Sequence, residues 1–279
     1  MRYLLLISTL LLGANTIYGM ELKTAIENGD KKGVATYLEH TTSFDVKEPI
    51  DHMNPIHRAA LCGKAELIPI LVFYLGEPCL DEQDITGKTP LHYAAQQGDL
   101  NTVQKLIAHN ATPKIHDNCG RGPKHVACLP SENHTPTELI SRQEVQQRIA
   151  ILITLEKARA FQYDHHKNTC LHYAVTNLCT KNLALDIIKK NVSSLFHNNA
   201  YNVSPLDIIE KKQIDSLLHI IFLYLCDNEN MHALDRCMPH IKRRKLIHKP
   251  IDNQSGDTLL QRAIKKKLPK IVAYLIPPI

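Results

Sequence analysis

The strongest constraint on the fold of this 279-residue chain is a repeat with a period of 33 residues. Five residues recur at that offset: Asp84, Gly87, Pro90, His92 and Ala94 reappear as Asp117, Gly120, Pro123, His125 and Ala127. Five matches at one offset indicate two copies of one structural unit. A period of this length is typical of arrays in which each unit packs only on its neighbours.

Each unit is expected to fold as two short antiparallel helices. In the clearest copy, residues 84–110, Thr89 stands before Pro90, an order that predicts an N-cap and a helix to about Gln97. A glycine then ends the helix, and apolar residues at three- and four-residue spacing predict a second, amphipathic helix over 100–107. One helix pair buries too little apolar surface to be stable alone, so the copies must stack.

The start of the first helix carries the most specific motif, Thr89-Pro90-Leu91-His92-Tyr93-Ala94-Ala95. It resembles the signature Thr-Pro-Leu-His-x-Ala-Ala of the ankyrin repeat. The resemblance implies an all-α fold, an ankyrin-repeat α-solenoid of about seven helix-turn-helix units, several of them degenerate. It extends over nearly all of residues 20–279, which we expect to form one ankyrin repeat domain.

The other units preserve the motif to different degrees. The first, from Leu22, lacks the Thr-Pro-Leu-His start and suits an N-terminal cap. The second begins at Asn54, where Asn replaces Thr as the N-cap. In the fifth, Lys167 replaces the glycine of the turn and Cys170 replaces the proline, so the turn is expected to be disturbed there. A sixth unit starts at Ser204.

Two segments interrupt the repeats. The fourth unit is expected to contain an insert at about residues 129–140, followed by an amphipathic helix over 141–159. An irregular tract at about 226–249 is long enough for another helix before the last unit. That unit, from Gly256, has lost the Pro and His of the motif and suits a C-terminal cap.

Residues 1–19 have the features of a secretory signal peptide. Arg2 supplies the positive charge, an apolar run covers residues 4–12, and Gly19 is a small residue suited to cleavage. We therefore expect a secreted or exported chain, periplasmic, extracellular or delivered to a host cell, with no stable membrane insertion after signal removal. A buried first helix is the alternative reading of the segment. In a eukaryotic lumen, the other destination considered, five sequons would matter: Asn110, Asn133, Asn191, Asn202 and Asn253.

The repeat pattern accounts for most residues that would otherwise suggest chemistry. Four histidines stand at the ankyrin His position and are expected to bond to backbone groups of neighbouring turns: His57, His92, His125 and His172. The segment Gly87-Lys88-Thr89 lacks the earlier glycine and the strand of a phosphate-binding loop. We therefore predict no catalytic, cofactor-binding or metal-binding residue, and no cofactor.

Two alternatives to this prediction remain open. His116 and Cys119 share the spacing of His125 and Cys128, and both residue types bind zinc, although the two pairs fall on different elements. The alternative functions are a Cys/His-dependent hydrolase and a purely structural scaffold.

The basic residues are concentrated in the last third of the chain. Residues 1–199 hold 20 Lys plus Arg and 20 Asp plus Glu, whereas residues 200–279 hold 13 and 8, which accounts for the whole net charge of +5. The densest cluster, residues 242–245, is expected to be a solvated helix face. Since no aromatic residues are interleaved with it, we expect no nucleic-acid partner.

The ankyrin resemblance implies a protein partner, of unknown identity, bound by a monomer. In ankyrin repeats such partners contact the concave face, formed by the turns before each first helix and the exposed side of that helix. Twelve residues of this chain match those positions: Ile85, Thr86, Lys88, Gln96, Gln97, Asn118, Arg121, His165, His166, Asn168, Ala200 and Tyr201. Arg121 and Tyr201 are the expected anchors. The predicted function is a protein–protein interaction module, with an exported effector acting on a host protein as its specific form.

Overall fold

The computed structural model describes residues 22–40, 51–131, 140–160, 162–243, 258–265 and 267–276. The predicted signal peptide and most of the predicted insert lie outside these residues. The described residues form two compact units. The first comprises those up to 131 together with 141–165, and the second comprises Ile140 and those from 166 onward.

The first unit is built from helix pairs, as the repeat pattern predicts. Its α-helices are α1 (22–28), α2 (Lys31–His40), α3 (Pro55–Leu61), α4 (Ile68–Leu75), α5 (Pro90–Gln97), α6 (Leu100–Ala108), α7 (Pro123–Val126) and α8 (Arg142–Lys157). The first helices of successive repeats pack side by side, α3 against α5 and α5 against α7. Their contact faces carry small and branched apolar side chains, of which Leu91 and Ala94 are fully buried.

Capping residues set the bounds of the clearest pair. Thr89 is the extended N-cap of α5, and Pro90 occupies the first turn. Gly98 ends the helix with a left-handed φ of 78°, a conformation that costs glycine little. Asp99 then caps α6 by accepting hydrogen bonds from the amides of Asn101 and Thr102. Both predicted helices are confirmed.

The fourth repeat is the least regular one in the first unit. Its first helix, α7, is a single turn, whereas α8 is the long helix predicted over 141–159. The Ser141 hydroxyl caps α8 by accepting from the amide of Glu144 at 3.1 Å.

The second unit continues the helix pairs. Its α-helices are α9 (Cys170–Thr176), α10 (Lys181–Lys190), α11 (Pro205–Lys211), α12 (Asp215–Asp227), α13 (Met231–Arg243), α14 (Leu259–Lys265) and α15 (Pro269–Leu275). Helix α13 is the extra helix expected in the irregular tract. The core is aliphatic, with Leu206, Ile209, Ile221 and Leu234 at or near zero exposure. In the described part of the chain, no helix has the length and apolar character needed to cross a bilayer.

The expected disturbance of the turn at Lys167 is wrong. Lys167 takes a left-handed φ of 59°, the region that Gly87 and Gly120 occupy at 76° and 75° in their own turns. The turn conformation is therefore retained without glycine, and the lysine carries the backbone strain.

Candidate functional site

The candidate site is built on the finger turns, by which we mean residues 84–88 and 117–121 in the first unit and 199–203 in the second. Each is organised by a polar side chain at its first position. Asp84 Oδ1 accepts from the amides of Thr86 and Lys88 at 2.8 and 3.0 Å. Asp117 and Asn199 accept the equivalent pairs of amides in their turns. The side chain thus closes the turn locally, as Asx turns do.

Asp84 is held as a carboxylate. Burial pushes its pKa upward, but hydrogen bonds from the Tyr93 hydroxyl, from Thr86 and from the Lys88 amide outweigh that effect, so the pKa is lowered overall. The Tyr93 hydroxyl donates to Asp84 Oδ2 at 2.5 Å, which ties the finger turn to helix α5.

Backbone hydrogen bonds join the two finger turns of the first unit to each other and to the segments on either side of them. The Ile85 amide donates to the carbonyl of Asp51 at 3.1 Å, and the Asn118 amide donates to Thr86 at 3.0 Å. The His165 amide donates to the Gly120 carbonyl at 3.2 Å. These bonds fix the spacing of the tips, so the side chains there project from a preorganised backbone.

The predicted site residues of the third repeat are accessible. Ile85 is 54% exposed, an unusual position for a large apolar side chain. Thr86 is exposed, and Gln96 and Gln97 are half-buried near the end of α5. Lys88 is partly engaged, since its Nζ donates to Gln96 Oε1 at 3.0 Å and lies 4.7 Å from the centre of the Tyr93 ring.

Arg121, an expected anchor, has a structural partner within its own finger turn. Its Nη2 lies 2.7 Å from Asp117 Oδ2, and its Nε donates to the same oxygen at 2.8 Å. The guanidinium is therefore part of the finger turn and half-buried. Asn118 beside it is exposed and donates from Nδ2 to the carbonyl of Ile85 at 3.0 Å. His165 is exposed and packs on His116, with ring centres 4.4 Å apart.

In the second unit the remaining predicted residues lie together. Tyr201 is 67% exposed, and its ring centre lies 5.6 Å from that of the exposed His166. The Ala200 amide donates to the His166 carbonyl at 2.8 Å. Asn168 accepts at Oδ1 from Asn199 Nδ2 at 2.9 Å. The binding roles of these residues, as of those in the first unit, remain predictions.

Three of the four motif histidines, His57, His92 and His172, have the structural role that the sequence predicts. The Thr89 amide donates to His92 Nδ1 at 3.1 Å, which places the ring proton on Nε2, 3.0 Å from the Arg121 carbonyl. His57 and His172 make the same two bonds in their repeats. Each neutral imidazole therefore links the start of one first helix to the next finger turn.

Burial favours the neutral form of His57, His92 and His125. It lowers the pKa of His92 and of His125 to about 4, and it also lowers that of His57. Burial has the opposite effect on thiols: it raises the pKa of Cys237 to about 12 and also raises that of Cys62. A raised thiol pKa opposes the formation of a nucleophilic thiolate, so neither cysteine suits the hydrolase alternative.

The zinc alternative receives no geometric support. Within the residues that the structure describes, neither the pair His116 and Cys119 nor the pair His125 and Cys128 belongs to a group of three close ligand atoms. Sequence reasoning missed one important residue, Arg148, whose side chain is completely buried. A signal was present, since Arg148 continues the apolar stripe of α8 formed by Val145, Leu152 and Leu155.

Comparisons with known proteins agree with this architecture. Residues 22–118 match the sequence model of the family described as "Ankyrin repeats (3 copies)". The chain is 27% identical over 203 residues to palmitoyltransferase ZDHHC13 of Mus musculus, an alignment that covers 64% of this chain and 32% of that protein. It is also 39% identical over 64 residues to palmitoyltransferase AKR1 of Eremothecium gossypii, which covers 23% of this chain and 9% of that protein.

A further relative is a channel protein. The transient receptor potential cation channel subfamily A member 1 homolog of Caenorhabditis elegans is 25% identical over 172 residues, or 56% of this chain and 14% of that protein. The chain thus spans about a third or less of the length of these relatives. The matched segment, the interlinked finger turns and the histidines of the motif lead to one conclusion: the chain contains ankyrin repeats, and its fold is the all-α fold of an ankyrin-repeat protein.

Proposed function

We propose that the chain is a protein-binding module whose partner lies across the finger tips and the exposed positions of the first helices. One observation carries the proposal: large side chains are exposed on turns whose backbone is already hydrogen-bonded. Ile85 and Tyr201 are 54% and 67% exposed, yet the turns that hold them are closed by Asp84 and Asn199.

Such an arrangement favours association. A rigid backbone has little conformational entropy left to lose on binding, and a projecting aromatic side chain supplies contact area at low entropic cost. Tyr201 with His166 forms a compact patch of this kind in the second unit. In the first unit the exposed surface is mixed, since Ile85 stands among the polar residues Thr86 and Asn118. Burial of one apolar anchor within a polar rim is typical of protein interfaces.

A binding role is favoured over an enzymatic one. His57, His92 and His172 are buried and bonded to backbone atoms on both ring nitrogens, so they have no capacity left for acid–base chemistry. The palmitoyltransferase names of two relatives describe proteins of which this chain matches a minor part.

The site of action is proposed from the first 19 residues. Their charged start and short apolar run support export, and a partner outside the producing cell, such as a host protein, would follow from it. N-terminal sequencing of the chain recovered from the medium or periplasm tests this proposal. A mature N-terminus near residue 20 is expected, and recovery of the uncleaved chain inside the cell would contradict it.

The binding proposal is tested by affinity capture with three matched proteins. The wild-type chain is compared with a tip variant, in which Ile85, His166 and Tyr201 are changed to Ala, and with a control variant, in which the exposed residues Phe73, Lys105 and Lys190 on second helices are changed to Ala. All must retain the same helical content by circular dichroism. A protein retained by the wild type and the control but lost by the tip variant supports the proposal. Equal retention by all three proteins would refute it.

A further inference from the structure

A group of three potential metal ligands lies in the second unit, outside the finger turns. Asp207 and Glu210 are on α11, and His240 is on α13. One oxygen or nitrogen atom from each residue lies within 4.8 Å of the others, and all three residues are half-buried. Asp207 and Glu210 are three positions apart and therefore share one face of α11.

Asp207 stands where the other repeats carry the histidine of the motif. Its Oδ2 takes over part of the capping role, accepting from the amide and the hydroxyl of Ser204 at 2.8 and 2.6 Å. A carboxylate has two oxygens, so Oδ1 is the atom that we assign to a metal. The substitution of His by Asp thus preserves the cap and adds a negative charge at this position.

His240 and Glu210 are already in contact. Nδ1 of His240 is hydrogen-bonded to Oε2 of Glu210, and both side chains keep only a small accessible fraction, 15% and 14%. This contact alone would be an ordinary pair between two helices. The additional carboxylate of Asp207 beside it creates two negative charges next to one imidazole, which is a donor set for a cation.

We propose that Asp207, Glu210 and His240 bind one divalent transition-metal ion, with Zn²⁺ as the best match. Two carboxylates and one imidazole, with water as the fourth ligand, are a set that zinc accepts. The imidazole disfavours Mg²⁺ and Ca²⁺, which prefer oxygen ligands throughout. Zinc bonds of about 2.0–2.2 Å need ligand atoms about 3.4 Å apart, a spacing that small side-chain rotations produce from 4.8 Å or less.

The bound ion would link α11 to α13. Because His240 must exchange its hydrogen bond with Glu210 for the metal, binding is coupled to release of that contact. The ion would therefore cross-link α11 to the helix α13, which departs from the helix-pair pattern.

The test is a titration of the full-length, chelator-treated chain with Co²⁺, followed by displacement with Zn²⁺. Absorption in the visible range reports the Co²⁺ site, and a sulfur-to-metal charge-transfer band would reveal binding by any of the eight cysteines. One equivalent is expected to bind without that band, and Zn²⁺ is expected to displace it. Failure to bind, or a spectrum dominated by thiolate ligands, would overturn the proposal.

Three conservative variants test the ligands: Asp207→Asn, Glu210→Gln and His240→Gln. Asn retains an oxygen that can accept the hydrogen bonds from Ser204. The Gln residues retain hydrogen-bonding groups, so all three variants are expected to fold. Each variant is expected to bind Co²⁺ at least tenfold more weakly. His232→Gln, at an exposed position of α13, is the matched control and is expected to bind within twofold of wild type.

Thermal unfolding gives a second measurement for each protein against its own metal-free form. Zn²⁺ is expected to raise the Tm of the wild type and of His232→Gln but not of the three ligand variants. An equal rise in all five proteins would place the bound zinc elsewhere and overturn the assignment.

Discussion

Arg148 Nη2 donates a hydrogen bond to the carbonyl oxygen of Gln96 at 3.0 Å, across 52 positions of the sequence. The other terminal nitrogen, Nη1, donates to the carbonyls of Ala127 and Leu129 at 2.7 and 2.8 Å. Nε and Nη2 both contact Glu144 at 3.1 Å. One buried guanidinium therefore satisfies carbonyls at the ends of α5 and α7, groups that a helix cannot pair internally.

Replacement of Arg148 by Met should destabilise the first unit strongly. The change leaves three carbonyls and a partly buried carboxylate without their donor, and removal of one partner from a buried pair costs about 3–5 kcal/mol. Arg148→Lys should recover little, because one ammonium cannot match the planar fork of the guanidinium. Urea unfolding followed by circular dichroism measures the change.

The matched control is Arg142→Met, at an exposed position on the same helix. Its free energy of unfolding should stay within about 0.5 kcal/mol of wild type. A similar loss in both variants would show that the methionine, rather than the lost hydrogen bonds, is responsible.

Acidification should destabilise the fold well before the carboxylates titrate. Burial lowers the pKa of His92 and of His125 to about 4 in the folded chain, against the ordinary histidine value of 6.5. The unfolded chain therefore binds protons that the folded chain excludes, so this stability is present above about pH 6.5 and is lost as the pH falls towards 4. For each histidine, the free energy of unfolding falls by at most about 1.4 kcal/mol per pH unit.

Urea unfolding at intervals between pH 7.5 and 4.5 measures this loss. His92→Gln should lower the free energy of unfolding at pH 7.5. It should also make that free energy depend less steeply on pH below pH 6.5, because one fewer proton is taken up on unfolding. His232→Gln, at an exposed position, is the control for the substitution itself. A wild-type stability that is constant from pH 7.5 to 5 would contradict the prediction.

Gly87 should be far less tolerant of substitution than Gly76, although both have a left-handed φ, 76° and 85°. A Cβ at Gly87 would lie 2.6 Å from the backbone nitrogen of Asn118 in the next finger turn, whereas at Gly76 the nearest atom is the Cδ of Pro78 at 3.5 Å. Gly76→Ala should therefore cost only the backbone strain, about 1–3 kcal/mol, because a φ of 85° with a ψ of 160° lies in a region almost restricted to glycine. Gly87→Ala adds a collision between two backbones and should cost clearly more. Equal losses in urea unfolding would show that the tips can separate freely.

The sequence was most informative where local chemistry decides the structure. The cap at Thr89, the proline after it and the glycine at 98 fixed the bounds of α5, because each acts on its own turn. Arg148 could not be placed in the same way: its partners are contributed by three other segments, and their positions depend on packing. The group formed by Asp207, Glu210 and His240 has the same origin, since α13 brings a distant histidine to α11.

The same difference between local pattern and long-range contacts applies to the candidate site. The repeat pattern located the finger tips, and it predicted that Ile85 and Tyr201 would be available. It did not predict that Arg121 is engaged by Asp117, because the side chain of an arginine can follow many paths from one backbone position. The repeat pattern therefore identifies which positions lie at the finger tips, while contacts between side chains decide which of those side chains are engaged within the chain.

Lys167→Gly should stabilise the second unit. Lys167 holds a left-handed φ of 59° in a turn where other repeats use glycine. Relief of that strain gains about 1–2 kcal/mol, whereas the added freedom of glycine in the unfolded chain costs about 0.5–1 kcal/mol, so the net gain should be roughly 0.5–1 kcal/mol. Asn202 also has a left-handed φ, 58°, but asparagine tolerates this region, so Asn202→Gly should change the stability little. Urea unfolding of both variants and of the wild type measures these changes. An equal change in the free energy of unfolding for the two variants would mean that the lysine is not strained.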